Sequence, residues 1–131
     1  MQGGCFCGVI RYEAAGSLFH ETNCHCSICR RISGAPFVAW FSVAKSGFRF
    51  TAGAPTRFRS TAKGERTFCP RCGTHLTFEH EDFAGEVDVT TCSLDDPDLL
   101  PSKDHTHTHR KLSWVVLNDG LPAYLESRHD G

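Results

Sequence analysis

The chain alternates apolar and polar positions in short bursts, and the bursts end at Gly, Pro, Asn or Asp. G-V-I-R-Y-E-A (8–14), F-R-F-T-A (48–52), T-H-L-T-F-E (74–79) and E-V-D-V-T-T-C (86–92) each show a period of two, which predicts half-buried strands. F-V-A-W-F-S-V (37–43) is a β-rich apolar run opened by Pro36. R-F-R-S-T (57–61) is expected to pair with 48–55 across the break at Gly53 and Pro55. H-T-H-T-H (105–109) and L-S-W-V-V-L (112–117) complete six to eight short strands. Helical signal is sparse. S-I-C-R-R-I-S-G (27–34) reads as one or two turns stopped by Gly34, and D-D-P-D-L-L (95–100) as a turn with a short helix. The pattern predicts one mainly β domain spanning residues 1–131, built from packed antiparallel sheets with few helical turns.

Composition narrows the function. The chain has 131 residues and a net charge of −1. That near-neutral balance argues against nucleic acid or an anionic membrane as partner. No apolar run approaches the roughly 20 residues of a membrane span. The N-terminus M-Q-G-G-C carries no leader pattern, so a reducing cytosol is the expected compartment.

Cysteine changes the picture most. Seven of the eight cysteines cluster as C-x-C (Cys5, Cys7), C-x-C-x-x-C (Cys24, Cys26, Cys29) and C-x-x-C (Cys69, Cys72). Disulfides gain stability from long closed loops, whereas a metal takes ligands from one short turn. If Cys5 and Cys7 occupy a strand, both sulfurs face one side. Pro70 stiffens the C-P-R-C-G turn, and Gly73 permits the positive φ that follows a second ligand. Each pair supplies half of a four-thiolate site. If the two pairs share one ion, the triplet keeps three ligands, the number of protein ligands that a catalytic zinc uses beside its exchangeable position. Spacing leaves other pairings open. Cys24 and Cys26 could share an ion with Cys69 and Cys72, and Cys92, His25, His75 or His80 could complete the triplet. An iron–sulfur cluster is a further use of clustered cysteines.

C-F-C-G-V-I-R-Y-E, N-C-H-C-S-I-C-R-R-I-S-G-A-P-F-V-A-W, F-C-P-R-C-G-T-H-L, V-T-T-C-S-L-D-D-P and W-V-V-L-N-D-G-L-P together resemble the glutathione-dependent formaldehyde-activating enzyme family, which includes centromere protein V. The resemblance covers almost the whole chain. It implies a β-tent fold stapled by zinc, with two zincs per chain. It assigns Cys5, Cys7, Cys69 and Cys72 to a structural zinc, and Cys24, Cys26 and Cys29 to a second zinc with an exchangeable position. The implied activity is that of a carbon–sulfur lyase, joining formaldehyde to glutathione as S-(hydroxymethyl)glutathione. Small-molecule thiol and aldehyde are then the partners. A non-catalytic zinc domain that binds a thiol or a protein is the alternative.

Other residues carry weaker expectations. Arg30 and Arg31 are candidates for the glutathione carboxylates, because an Arg fork matches a carboxylate; a solvated basic turn is the plainer reading. His25 is expected as exposed loop, Cys92 as a buried apolar thiol, and His105, His107 and His109 as one wet strand face. Phe37, Trp40 and Phe41 are expected in the core, with a pocket wall as the other use. Asp95 and Asp96 read as a turn. His105 corresponds to a histidine that family members carry, although H-T-H-T-H-R-K-L-S-W is more polar than the usual stretch.

Overall fold

In a computed structural model that describes residues 1–127, the chain folds into two sheets. β1 (Gln2–Gly4), β2 (Arg11–Ala14) and β5 (Phe48–Ala52) form a small antiparallel sheet in the order β1-β2-β5. The larger sheet has seven strands. These are β3 (Leu18–Cys24), β4 (Val38–Ala44), β6 (Thr56–Arg59), β7 (Gly64–Phe68), β8 (His75–His80), β9 (Glu86–Thr90) and β10 (Asp104–Thr106), in the order β10-β3-β4-β9-β8-β7-β6. Every pairing is antiparallel except β10 on β3. No helix among the described residues is long and apolar enough to cross a membrane.

Strand alternation decides which face each residue serves. On β4, Phe41 and Val43 are fully buried and pack with Val87 and Val89 of β9 against Tyr12 and Ala14 of β2 and Ile10 just before it. That contact between the sheets is the main core. Trp40 and Ser42 lie on the opposite face of β4, with Asp88 of β9 on the strand beside them. The large sheet therefore has one face buried in the core and another that carries mixed polar and aromatic groups.

The one α-helix among the described residues, α1 (Ser27–Ser33), stops where the sequence places its end. The Cys26 side chain caps the N-terminus by accepting from the Cys29 N–H, and Gly34 ends the helix in the left-handed region at φ 62°. Glycine is favoured there because it bears no Cβ.

Several expected elements differ. Residues 57–61 do not pair with 48–55. β6 forms a hairpin with β7 across residues 60–63, and Arg57 meets Glu65 at 3.1 Å. The short local connection prevails, and Gly53, at φ 73°, turns the chain out of the small sheet. Residues 112–117 form no strand. The backbone beside β10 is taken by Pro122–Tyr124, whose groups bond His105 at 2.9 and 2.8 Å. Without a neighbouring strand the 112–117 run has no ladder to join, and Trp114 and Val116 are exposed. The strand at 86–92 stops at Thr90, where a 3-10 turn over Thr91–Ser93 rotates Cys92 outward. Cys92 is exposed, not a buried apolar thiol.

Candidate metal centres

Two groups of cysteines converge, each with all sulfurs within 4.8 Å of one another: Cys5, Cys7, Cys69 and Cys72 in one, and Cys24, Cys26 and Cys29 in the other. The pairing that spacing left open is settled at the level of proximity. Cys24 and Cys26 lie with Cys29, and no histidine joins either group among the described residues.

The four-cysteine group sits where the sheets meet. Cys5 follows β1 of the small sheet, and Cys69 follows β7 of the large one. C-x-C is not the strand that the i, i+2 reading expected; it is a tight turn with Phe6 projecting into solvent at its tip. Gly8 and Gly73 follow the two motifs, each at φ 82°. The two knuckles are thus alike in their exits. The Cys5 sulfur accepts from the Ile10 N–H at 3.3 Å, and the Cys69 sulfur from the N–H groups of Arg71 and Cys72 at 3.3 and 3.4 Å. Backbone donors aimed at sulfur favour the thiolate form. The Cys5–Cys7 and Cys7–Cys69 sulfur separations are 3.6 and 3.8 Å. A tetrahedron with metal–sulfur bonds of about 2.3 Å has edges of about 3.8 Å. The donor set and its spacing fit a zinc-sized ion. The Thr74 hydroxyl holds Cys72 at 3.3 Å, lowering that thiol to about 5.

The three-cysteine group is built differently. Cys24 ends β3, Cys26 caps α1, and Cys29 lies one turn into it. Cys24 and Cys29 are buried, whereas Cys26 is half-buried. Hydrogen bonding from the thiols of Cys24 and Cys29 drives Cys26 down to about 2, and the Cys24 thiol is pushed up in return. All three cysteines line a cleft of about 600 Å³ on the outer face of the large sheet. Trp40, Phe78, Arg66 and Asp88 share its wall. None of Cys5, Cys7, Cys69 and Cys72 does.

The loop between β3 and α1 is fastened from far along the chain. β10 pairs in parallel with β3, placing Thr106 opposite Cys24, and the His25 N–H bonds the Thr106 carbonyl at 3.0 Å. His25 is fully buried, not exposed loop. Its Nε2 lies 2.9 Å from His105 Nδ1, and His105 Nε2 lies 2.7 Å from Asp119 Oδ2. A carboxylate only accepts. With His105 neutral, its Nε2–H donates to Asp119 and its Nδ1 accepts from His25 Nε2–H. Burial holds the His25 imidazole down to about 4, so it stays uncharged.

The histidines 105, 107 and 109 do not form a wet strand face. His105 is 1% exposed. His107 adopts φ 54° after β10 ends, and it lines the cleft. Arg30 and Arg31 occupy the last turn of α1, and neither lines the cleft. Arg30 Nε donates to the His25 carbonyl at 3.4 Å. Trp40 and Phe41 part company: Phe41 fills the core, and Trp40 walls the cleft. Asp95 lies in a turn, where a two-pronged pair with Arg11, at 2.9 and 2.5 Å, holds its carboxyl below the usual range.

Sequence reasoning missed Arg66. It occupies a buried slot of β7, with its guanidinium carbon 4.4 Å from the Phe78 ring centroid. It also missed Asp88, whose carboxyl is raised to about 6, chiefly by burial, and which accepts from the Ser42 hydroxyl at 2.6 Å. Both lie in polar slots of alternating stretches, on the sheet face away from the main core, and such slots read as solvent-facing.

The pattern of a family described as glutathione-dependent formaldehyde-activating enzyme matches residues 1–110. An uncharacterized lyase of Schizosaccharomyces pombe is 30% identical over 79 residues, which cover 60% of this chain and 57% of that protein. The match thus spans little more than half of the yeast relative. A Halomonas elongata protein that bears the family's enzyme name is 27% identical over 129 aligned residues, covering 89% of this chain and 80% of the relative. A crystal structure of a Rhodobacter sphaeroides protein shares the fold, with a TM-score of 0.62 at 21% identity over 95% of this chain and 99% of that one.

Proposed function

Because the chain belongs to the glutathione-dependent formaldehyde-activating enzyme family, we propose that it is a zinc-dependent carbon–sulfur lyase that binds the glutathione thiolate at the three-cysteine centre. There it forms or carries an aldehyde adduct such as S-(hydroxymethyl)glutathione. In this reading the whole described chain is one zinc domain working in the cytosol, where its free cysteines stay reduced. Cys5, Cys7, Cys69 and Cys72 hold a structural zinc, and Cys24, Cys26 and Cys29 hold a second.

The observation that carries the reading is unequal surroundings. One group has four sulfurs away from the cleft; the other has three sulfurs that all face it. A bound zinc with an exchangeable position supplies a depressed thiol pKa and polarisation of an aldehyde oxygen.

The chain's own residues supply the rest. The Cys26 cap and the His25–His105–Asp119 chain fix where the three sulfurs point. The rings of Trp40 and Phe78 exclude water from one wall of the cleft. Holding thiol and aldehyde together there lowers the entropic part of the barrier. The reaction needs no oxidant: the sulfur–carbon bond forms, the carbonyl oxygen takes up the thiol proton, and the reverse direction releases both. Arg30 and Arg31 are not assigned to glutathione, because neither reaches the cleft wall.

Exchange between glutathione, formaldehyde and their adduct, followed by NMR with the zinc-loaded protein, tests this. The expected exchange exceeds the protein-free rate, and Cys26→Ser abolishes the excess while leaving the fold intact. A rate equal to the spontaneous one removes the enzyme claim and leaves a zinc domain that binds without turnover.

A further inference from the structure

Arg66 is a buried cation that the reading above does not use. It is 5% exposed. β7 pairs it with Phe78, whose ring faces the guanidinium at 4.4 Å, and the Trp40 ring lies 5.9 Å away. Its Nε donates to the Ser60 hydroxyl at 3.2 Å, and its Nη2 to the Cys29 sulfur at 3.9 Å. Its Nη1 is buried with no hydrogen-bond partner among the described residues.

A buried guanidinium normally meets a carboxylate. Here no described acidic side chain lies within 4.0 Å of it. Asp88 is near enough to feel its charge but is bonded to Ser42 instead. Among the described residues, Arg66 is also the one Lys or Arg that lines the cleft. The contrast with the other cysteine group is direct. Arg11 interacts electrostatically with Cys5, but its charge is taken up by the two-pronged pair with Asp95. The Arg66 charge acts on the Cys29 sulfur as well as on Asp88.

Charge arithmetic shows why that matters. Three thiolates around a divalent ion sum to −1, and a fourth thiolate makes −2 in a partly desolvated site. Repulsion between like charges is poorly screened there. A fixed cation hydrogen-bonded to one of the sulfurs offsets that repulsion, and aromatic faces hold it in place without neutralising it. Resting on the function proposed above, we infer that Arg66 is the positioning and specificity residue that lets the three-cysteine centre accept an anionic thiolate in preference to a neutral donor. It acts through Cys29 and need not touch the incoming ligand.

Calorimetric titration of zinc-loaded protein at one fixed pH tests this, with 2-mercaptoethanol as the anionic probe and imidazole as the neutral one. Bound zinc and near-ultraviolet circular dichroism confirm that each variant is folded and loaded. Arg66→Met is expected to weaken thiol binding by about tenfold or more while moving imidazole by less than about threefold. Arg66→Lys, which keeps the charge, is expected to restore most of the preference. Should Arg66→Met not fold, Arg66→Gln replaces it with the same expectation. Equal losses for both probes, an unchanged thiol affinity, or a Lys variant that behaves like Met overturns the inference. Wild-type protein that holds two zincs and takes up no thiol sinks the proposed function instead, whatever Arg66 does.

Discussion

Cys69 and Cys5 are 1% and 7% exposed, sit in the seam between two sheets, and receive backbone N–H groups on their sulfurs. Cys24, Cys26 and Cys29 come from a strand end and a helix start, and all three face a cleft. The same side chain thus serves two ends. Where two turns from opposite sheets enclose the sulfurs, the group joins distant parts of the fold. Where one short loop presents them, the group borders the cleft and depends on supports supplied by other elements. The number of sulfurs matters less than which structures meet at them.

Removing a sulfur from each group should break the comparison most sharply. Structural zinc contributes roughly 10–16 kcal/mol of apparent binding free energy, against a total stability of about 5–15 kcal/mol for a domain of this kind. Cys69→Ser is therefore expected to leave the chain unfolded, read as loss of the cooperative thermal transition. Cys26→Ser should keep that transition and lose one zinc per chain by metal analysis, together with thiol uptake. A Cys26→Ser protein that unfolds would make the triplet a second staple and erase the distinction.

Supports give a finer cut. His105→Ala deprives buried His25 Nε2 of its partner, a loss of about 1–3 kcal/mol. Zinc exchange with a colorimetric chelator should then quicken at the triplet while the four-sulfur group exchanges as before. Equal acceleration at both would show that the two groups are not independently held.

The smallest effect tests the cleft wall. The folded Asp88 carboxyl, at about 6, lies above the ordinary 3.8. The native state therefore holds this proton more tightly than the unfolded chain. Its contribution to stability is full below pH 3.8 and is lost as pH rises through 6. Asp88→Asn should remove that fall, gaining on the order of 1–3 kcal/mol at pH 7 relative to the wild type. Melts at pH 4 and pH 7 read the difference, and parallel pH profiles for the two proteins would refute the assignment.

Legibility in the sequence followed the same division. β4, β8 and β9 announced themselves because Phe41, Val43, Leu76, Val87 and Val89 are apolar where the core needs them. α1 was marked by Gly34, whereas its Cys26 cap was not foreseen. Cysteine spacing revealed the three motifs, since each is local, and the family resemblance grouped them. β7 was invisible because G-E-R-T-F buries the charged Arg66, and β3 because L-F-H-E-T-N-C buries Glu21. His25 read as loop because its partners, His105 and Asp119, lie in a strand and a turn that the sequence does not link to it. Arg66 was missed for the same reason. Support for the cleft comes from pairings between distant segments, and no short motif records them.

The parallel pairing of β10 with β3 also sets an order in time. The four sulfurs of the seam are all translated once residue 72 has left the ribosome's active centre. The strand, imidazole and carboxylate that fasten the His25 loop arrive only with residues 104–119. A nascent chain stalled before β10 emerges should shield Cys5, Cys7, Cys69 and Cys72 from a thiol-alkylating reagent while Cys24, Cys26 and Cys29 still react. Synthesis from the N-terminus would thus make the scaffold first and complete the reactive mouth last.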